Sequence, residues 1–386
     1  MTQDKVKEKI GIIFFIMALW MLMIRQMAAM MPILPRFSDI AYIYGDKVLW
    51  FGIFLLGIVI VGNKPLVLEI IMCLWSVVSF QISSNSALMI LVFLLIAANR
   101  INIDKCDIVN AWMIPVTIAM VLVLILYPIL HAQGHPVAED YCGTRWNYFF
   151  GHPNGFGLWF TFWILGILYL GQKKMTCWVM SLVLFVAAIF LAIVPGNKTA
   201  SIVLLLGIPF FILEKYCWKL WKVMIYMIPA GCILMTVVLT QLYYQGILLC
   251  NQYVLHPTMS MRFQDAAISL SECPLNLWGQ RVYHLGESIT FYGVTRSDVS
   301  LDNGIIAILI YYGVVLGMFL LAFFVESIYI QAGSEDNSCR IQVILLVLTF
   351  IMGMMEWPAW YGTIGFPMFF VGDWIKNNDK KKSKIT

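Results

Sequence analysis

The sequence predicts an all-α, polytopic transmembrane helix bundle, from its composition, its apolar segments and the placement of its basic residues. Hydrophobic residues make up 61% of the chain and charged residues 12%, and the mean hydropathy is +0.84. Soluble domains carry roughly 45–50% apolar and about 25% charged residues. This chain therefore cannot cover a water-facing surface, and we expect one integral membrane domain over residues 1–386.

Apolar segments account for most of the chain. A helix needs about 20 apolar residues to cross ~30 Å of hydrocarbon, and about twelve segments reach or approach that length. The predicted spans are 10–31, 48–62, 65–82, 87–99, 108–130, 154–171, 175–194, 199–213, 222–243, 303–325, 340–355 and 359–375. The second, fourth and eighth segments are short, so their assignment as spans relies on the placement of the basic residues.

The basic residues orient these spans. With the N-terminus inside, most of the 25 lysines and arginines fall in short inner connections and in the tail Lys380–Lys382. The exceptions are Arg25, within a span, and the outer residues Arg36, Lys47, Arg145, Lys198, Arg262, Arg281 and Arg296. This bias follows the positive-inside rule. It predicts a multi-pass membrane protein with both termini cytoplasmic, its basic tail against anionic lipid.

Two outer loops are long, at 131–153 and 244–302. Loops of that length are uncommon unless they are functional or disordered. The second contains aromatic and aliphatic residues throughout, so we expect it to fold against the membrane surface. The outer, extracytoplasmic side is therefore where we expect an active site.

The first candidate cluster is His152-Pro153-Asn154, where the first long loop re-enters the membrane. Pro153 and Asn154 are typical of a helix start, with Asn154 as N-cap. His152 would lie at the membrane boundary near Arg145. A plain helix start and a functional histidine both remain open.

The second cluster is the turn Pro195–Lys198, followed by Thr199 and Ser201. Lys198 opposes the charge bias and opens a helix, and a cation with hydroxyl groups at a helix N-terminus is typical of an anion site. The alternative is a lysine that extends along apolar surface to water.

The third and fourth clusters lie in and after the second long loop. Arg262 and Asp265 occupy a predicted helix at 260–270 that would lie in the membrane interface, where they could also form a simple surface pair. Asp302 opens the next span, either as a carboxylate facing an outer cavity or as an ordinary N-cap. His284 is a weaker candidate in the same loop.

Together these clusters place cations, acids and histidines on one side of the membrane, where cations suit a lipid diphosphate. No DxD pair is present to hold a metal, so arginine and lysine would neutralise the diphosphate. We therefore expect no cofactor and no metal, and we expect Lys198, Arg262 and Asp302 to share one extracytoplasmic cavity.

The order of these motifs resembles the O-antigen polymerase and ligase-type family of membrane glycosyltransferases, the Wzy-like polysaccharide polymerases. The matching motifs are His152–Asn154, Lys198–Ser201, Met261–Phe263, Gly279, Asp302–Gly304 and Tyr311–Val315. They cover about 150–320, and the remainder is similar only as apolar spans. The family often has Ser-Arg where this chain has Lys198-Thr199, and lysine offers a point charge rather than a bidentate fork.

The resemblance implies a GT-C-like architecture and a metal-independent, inverting transfer that polymerises repeat units into capsule, exopolysaccharide or O-antigen. The donor would be an undecaprenyl-diphosphate-linked oligosaccharide and the acceptor a second lipid-linked glycan. A flippase and a chain-length regulator are implied partners, and nucleic acid is not.

By this resemblance, Arg262 and Lys198 would bind the diphosphate, with Arg145 as a further contact. Either His152 or Asp302 would orient or deprotonate the acceptor hydroxyl. The remaining residues assigned to substrate positioning are Asn154, Asp265, Asn303 and His284.

Other functions remain open. A ligase of the same fold would transfer the glycan to a different acceptor. A flippase or transporter would show broken or charged helices at mid-bilayer and repeated halves. A membrane scaffold without enzymatic activity is the third alternative.

Overall fold

The computed structural model describes most of the chain. The described residues are 3–31, 35–62, 66–101, 103–136, 145–249, 252–255, 257–282, 289–292, 294–296, 299–334 and 337–371. His284, assigned to substrate positioning, lies outside them, as do the basic tail and part of each long loop.

Helices dominate the described residues. They are α1 (Gln3–Met30), α2 (Pro35–Val61), α3 (Val67–Ser83), α4 (Ala87–Arg100), α5 (Lys105–Ala132), α6 (Pro153–Gly171), α7 (Cys177–Ile193), α8 (Lys198–Tyr216), α9 (Trp218–Tyr244), α10 (Pro257–Glu272), α11 (Gly304–Ala332) and α12 (Asn337–Met355). A short antiparallel hairpin, β1 (Ile289–Phe291) and β2 (Val294–Arg296), lies between α10 and α11.

Seven of these helices are long and apolar enough to cross a membrane. The seven spans are Val6–Met30, Tyr44–Val61, Lys105–Ala132, Pro153–Gly171, Lys198–Tyr216, Trp218–Tyr244 and Gly304–Ala332, and four shorter apolar helices accompany them. The chain is thus a polytopic helical protein, as its composition predicts. Helices overlap every predicted span except the last.

The last predicted span, 359–375, is wrong as a continuous helix. In its place the structure has two 3₁₀ helices, Trp357–Trp360 and Phe366–Phe370, separated by turns. Gly362 weakens a helix, and Pro367 removes a backbone donor and clashes with the preceding turn. A hydropathy profile alone does not show these effects of glycine and proline on the backbone.

The described residues divide into two compact units. The first comprises Met1–Ser76, Ala87–Leu205 and Tyr361–Phe369. Its core includes Trp112, whose indole stacks on Trp159 at 6.1 Å and donates a hydrogen bond to the Thr363 carbonyl at 2.9 Å.

The second unit comprises Val77–Ser86, Leu206–Trp360 and Phe370–Thr386. Within it α10 packs on α9 through Phe263 and Ala267, which contact the buried ring of Tyr243. The predicted helix at 260–270 is confirmed. Its residues 263–269 are all buried, however, whereas a helix that lies in the membrane interface has one apolar and one exposed face.

Helix α11 is broken at Gly313, which has φ 80° and ψ 165°. The loop after α10 satisfies the interrupted backbone, because Gln280 N–H donates to the Ile310 carbonyl at 3.0 Å and Val314 N–H donates to the Asn276 carbonyl at 2.9 Å. A Cβ at Gly313 would overlap the carbonyl of Leu277. The break and the docked loop therefore require glycine here.

Candidate functional site

Helix α10 carries Arg262 at the edge of its buried segment. The turn before the helix is closed by Ser260, whose Oγ accepts a hydrogen bond from Leu255 N–H at 3.0 Å. Burial of the following residues fixes the helix in the second unit, and the side chain of Arg262 is 11% exposed. Asp265, one turn further, is only 4% exposed, so it is not half of a surface pair with Arg262.

The start of α11 presents Asp302. Asn303 is the N-cap of this helix, because its Oδ1 accepts from Ile306 N–H at 3.1 Å. Asp302 is therefore not the capping residue, and its carboxylate is available for other contacts. Gly304 allows the close approach of α12, since a Cβ there would overlap the carbonyl of Gly353.

Glu356 completes the cluster. It directly follows α12, and the next residue, Trp357, donates its backbone N–H to the Asp302 carbonyl at 2.8 Å. Arg262 Nη1 pairs with Asp302 Oδ2, and Arg262 Nη2 pairs with Glu356 Oε1. Ser300 Oγ donates to the same Asp302 oxygen at 2.6 Å. We call Arg262, Asp302 and Glu356 the ionic cluster.

The electrostatics of the ionic cluster differ from those of a free cation. One guanidinium lies against two carboxylates, so the formal charge is negative. The Asp302 side chain is 27% exposed and that of Glu356 is 8% exposed. An anion that binds Arg262 would therefore have to compete with a carboxylate, which sequence analysis did not anticipate.

Two donors beside the ionic cluster lack a partner among the described residues. They are Arg262 Nε and Asn303 Nδ2, and both atoms are buried. Buried donors without an acceptor are unfavourable by about 1–3 kcal/mol each.

In the first unit, His152 is the N-cap of α6. Its Nδ1 accepts from Asn154 N–H at 3.0 Å, so the predicted cap at Asn154 is wrong by two residues. Proline at the first helical position, Pro153, is preorganised for this geometry. A neutral imidazole that accepts at Nδ1 carries its proton on Nε2. The capping contact thus engages Nδ1, and whether His152 acts on a substrate stays a prediction.

The predicted basic turn also lies in the first unit. Asn197 is buried and caps α8, accepting from Ala200 N–H at 2.9 Å while its Nδ2 donates to the Pro153 carbonyl at 3.2 Å. Arg145 Nε donates to the Pro195 carbonyl at 3.2 Å, and Lys198 is exposed. The turn thus holds Arg145 and Lys198 close to the start of α6.

The sequence-predicted residues consequently fall into two groups. Arg262, Asp302 and Asn303 come together in the second unit, and His152, Asn154, Arg145 and Lys198 lie at neighbouring turns of the first. That the two groups act on one substrate stays a prediction.

Sequence reasoning missed Glu356. It lies in the gap 356–358 between the predicted spans 340–355 and 359–375. The available signal was a single carboxylate closing an apolar segment on the predicted outer side, and ionisable groups in such positions are often functional.

Comparisons with protein-family models, with curated proteins and with solved structures find no match to this chain.

Proposed function

We propose that this protein is a membrane glycosyltransferase that polymerises lipid-linked oligosaccharide repeat units into surface polysaccharide. The ionic cluster is the observation that carries the proposal. Three charged residues from distant positions in a largely apolar chain meet: Arg262 within α10, Asp302 just before α11 and Glu356 just after α12. Charged groups are unfavourable in such surroundings and are retained where chemistry requires them.

The proposed topology has twelve crossings, in the manner of a GT-C-like transferase in a bacterial plasma membrane. The last crossing is the non-helical segment 356–371. Trp357 hydrogen-bonds to Asp302 at the beginning of α11, while Gln331, near the end of α11, donates to the Phe370 carbonyl at 2.7 Å. Irregular backbone is tolerated at membrane depth when protein surrounds it, and this segment is largely buried. A twelfth crossing is also what the charge pattern of the sequence requires.

In the proposed reaction, the acceptor hydroxyl attacks the anomeric carbon of an undecaprenyl-diphosphate-linked glycan. Asp302 is the general base, because its carboxylate is the more exposed of the two on Arg262. Arg262 stabilises the charge that develops on the departing diphosphate. By the same resemblance, Lys198 and Arg145 would bind the diphosphate and His152 would orient a substrate group; that they act together with the ionic cluster stays a prediction.

The proposal is tested by deleting the gene and separating the surface glycan by gel electrophoresis. We expect the long chains to disappear while single repeat units persist. Arg262→Ala should fail to restore them, with a rate lower by about 100–1,000-fold. Arg281→Ala, an exposed arginine in the same loop, is the matched control and should restore full chain length. Full rescue by both Arg262→Ala and Lys198→Ala would remove the residue assignment.

Two alternatives predict different results. A ligase would lose transfer to a fixed acceptor while retaining preformed long chains. A flippase or transporter is favoured by one observation, the break of α11 at Gly313, because discontinuous helices are common in transporters. Unchanged glycan with altered solute uptake would support the transporter and overturn the polymerase.

A further inference from the structure

The two carboxylates of the ionic cluster hold Arg262 unequally. Glu356 is 8% exposed, so a guanidinium withdrawn from it would leave a buried charge without compensation. Asp302 is 27% exposed and keeps a second partner, Ser300, at 2.6 Å. The contact between Arg262 and Asp302 is therefore the easier of the two to give up.

The unpartnered donors indicate which kind of ligand would replace Asp302 as a partner of Arg262. Arg262 Nε and Asn303 Nδ2 are buried without an acceptor among the described residues. Asn303 immediately follows Asp302 in the chain, and Asn303 is 1% exposed. A ligand that draws Arg262 away from Asp302 and supplies several acceptor oxygens would satisfy these donors. A diphosphate has this chemistry.

We propose that arrival of the donor diphosphate transfers Arg262 Nη1 from Asp302 to a phosphate oxygen, while Arg262 Nη2 stays on Glu356. We call this change of partner the exchange. This inference rests on the proposed glycosyl transfer. Glu356 is thereby a positioning residue. The exchange frees the Asp302 carboxylate only once the donor is bound, so the general base is exposed when its substrate is present.

In the transfer step, the acceptor O–H bond breaks and its proton passes to an Asp302 oxygen. The acceptor oxygen forms a bond to the anomeric carbon, and the bond from that carbon to the phosphate oxygen breaks. The electron pair leaves with the diphosphate, whose added charge lies against Arg262.

The test measures inorganic pyrophosphate binding to the full chain purified in lipid nanodiscs. Asp302→Asn removes the competing charge, so we expect pyrophosphate to bind roughly fivefold more tightly than to the unchanged protein. Chain elongation by the same variant should be lost. Glu356→Gln should weaken pyrophosphate binding, because Arg262 loses its anchor. Where Asp302→Asn yields no folded protein, Asp302→Ala is expected to change binding in the same direction.

A double variant distinguishes the exchange at Arg262 from a general effect of removing one negative charge. In an Arg262→Ala background, Asp302→Asn should leave pyrophosphate affinity within about twofold, because no competing ion pair remains to be removed. Equal or weaker binding by Asp302→Asn alone overturns the exchange, and so does a tightening that persists without Arg262. Either result leaves the polymerase proposal intact when deletion still abolishes long chains. Unchanged glycan after deletion overturns the polymerase itself.

Discussion

At the scale of single residues, the contacts of a side chain restrict its chemistry more than its residue type does. Arg262 was predicted as a cation for a diphosphate, yet both of its terminal nitrogens are occupied by carboxylates. His152 was predicted as a possible base, yet its Nδ1 is occupied as a helix cap. Asp302 was predicted as a base or an N-cap, yet Asn303 is the cap and the Asp302 carboxylate accepts from Arg262 and Ser300.

The role of His152 is tested by replacing the cap. His152→Ala should lower stability by about 1 kcal/mol, because the N-terminus of α6 loses its acceptor. His152→Asn supplies another side-chain acceptor, so it should restore thermal stability. It should not restore polysaccharide chain length, because it lacks the imidazole proposed to orient the substrate. Thermal unfolding and glycan gels of the two variants provide the measurement. Normal elongation by a stable His152→Asn variant would contradict a role of His152 beyond the helix cap.

At the scale of elements, the sequence predicted what length and hydropathy determine. Apolar segments became helices, and α10 formed where it was predicted. The last crossing was misassigned because glycine and proline act on the backbone without changing hydropathy. The burial of α10 depends on partners in α9, which a local pattern does not encode.

The break in α11 gives a prediction at this scale. Gly313→Ala should destabilise the protein by about 2 kcal/mol or more, since alanine is strained at φ 80° and its Cβ overlaps Leu277. Gly231→Ala in α9 is the matched control, because a Cβ there meets nothing within 4 Å. Thermal unfolding of the two purified variants compares them. Equal stability would contradict a break that requires glycine.

At the scale of the whole molecule, the ionic cluster shows why the site was only partly predictable. Arg262 is 40 residues from Asp302 and 94 from Glu356 along the chain. Arg262 was recognisable from its predicted interface helix, and Asp302 from its place before an apolar span. Their pairing, and the inclusion of Glu356, depend on how distant helices pack.

The proposed topology is tested with native cysteines. A variant that retains only Cys273 should react with a membrane-impermeant maleimide from outside intact cells, and one that retains only the exposed Cys217 should react after permeabilisation. Burial, with Glu272 adding to it, raises the pKa of the Cys273 thiol. Its thiolate fraction is therefore low at neutral pH, and labelling should accelerate as the pH rises towards that pKa. Labelling of Cys217 from outside would invalidate the orientation.

Elongation by the purified protein tests the claim that the ionic cluster carries out glycan transfer. An undecaprenyl-diphosphate-linked repeat unit would be supplied to the unchanged protein, to Glu356→Gln and to the control Arg281→Ala. We expect long chains from the unchanged protein and the control, and a rate lower by about 100-fold for Glu356→Gln, because Arg262 is displaced. Chains of normal length and rate from Glu356→Gln would contradict the claim.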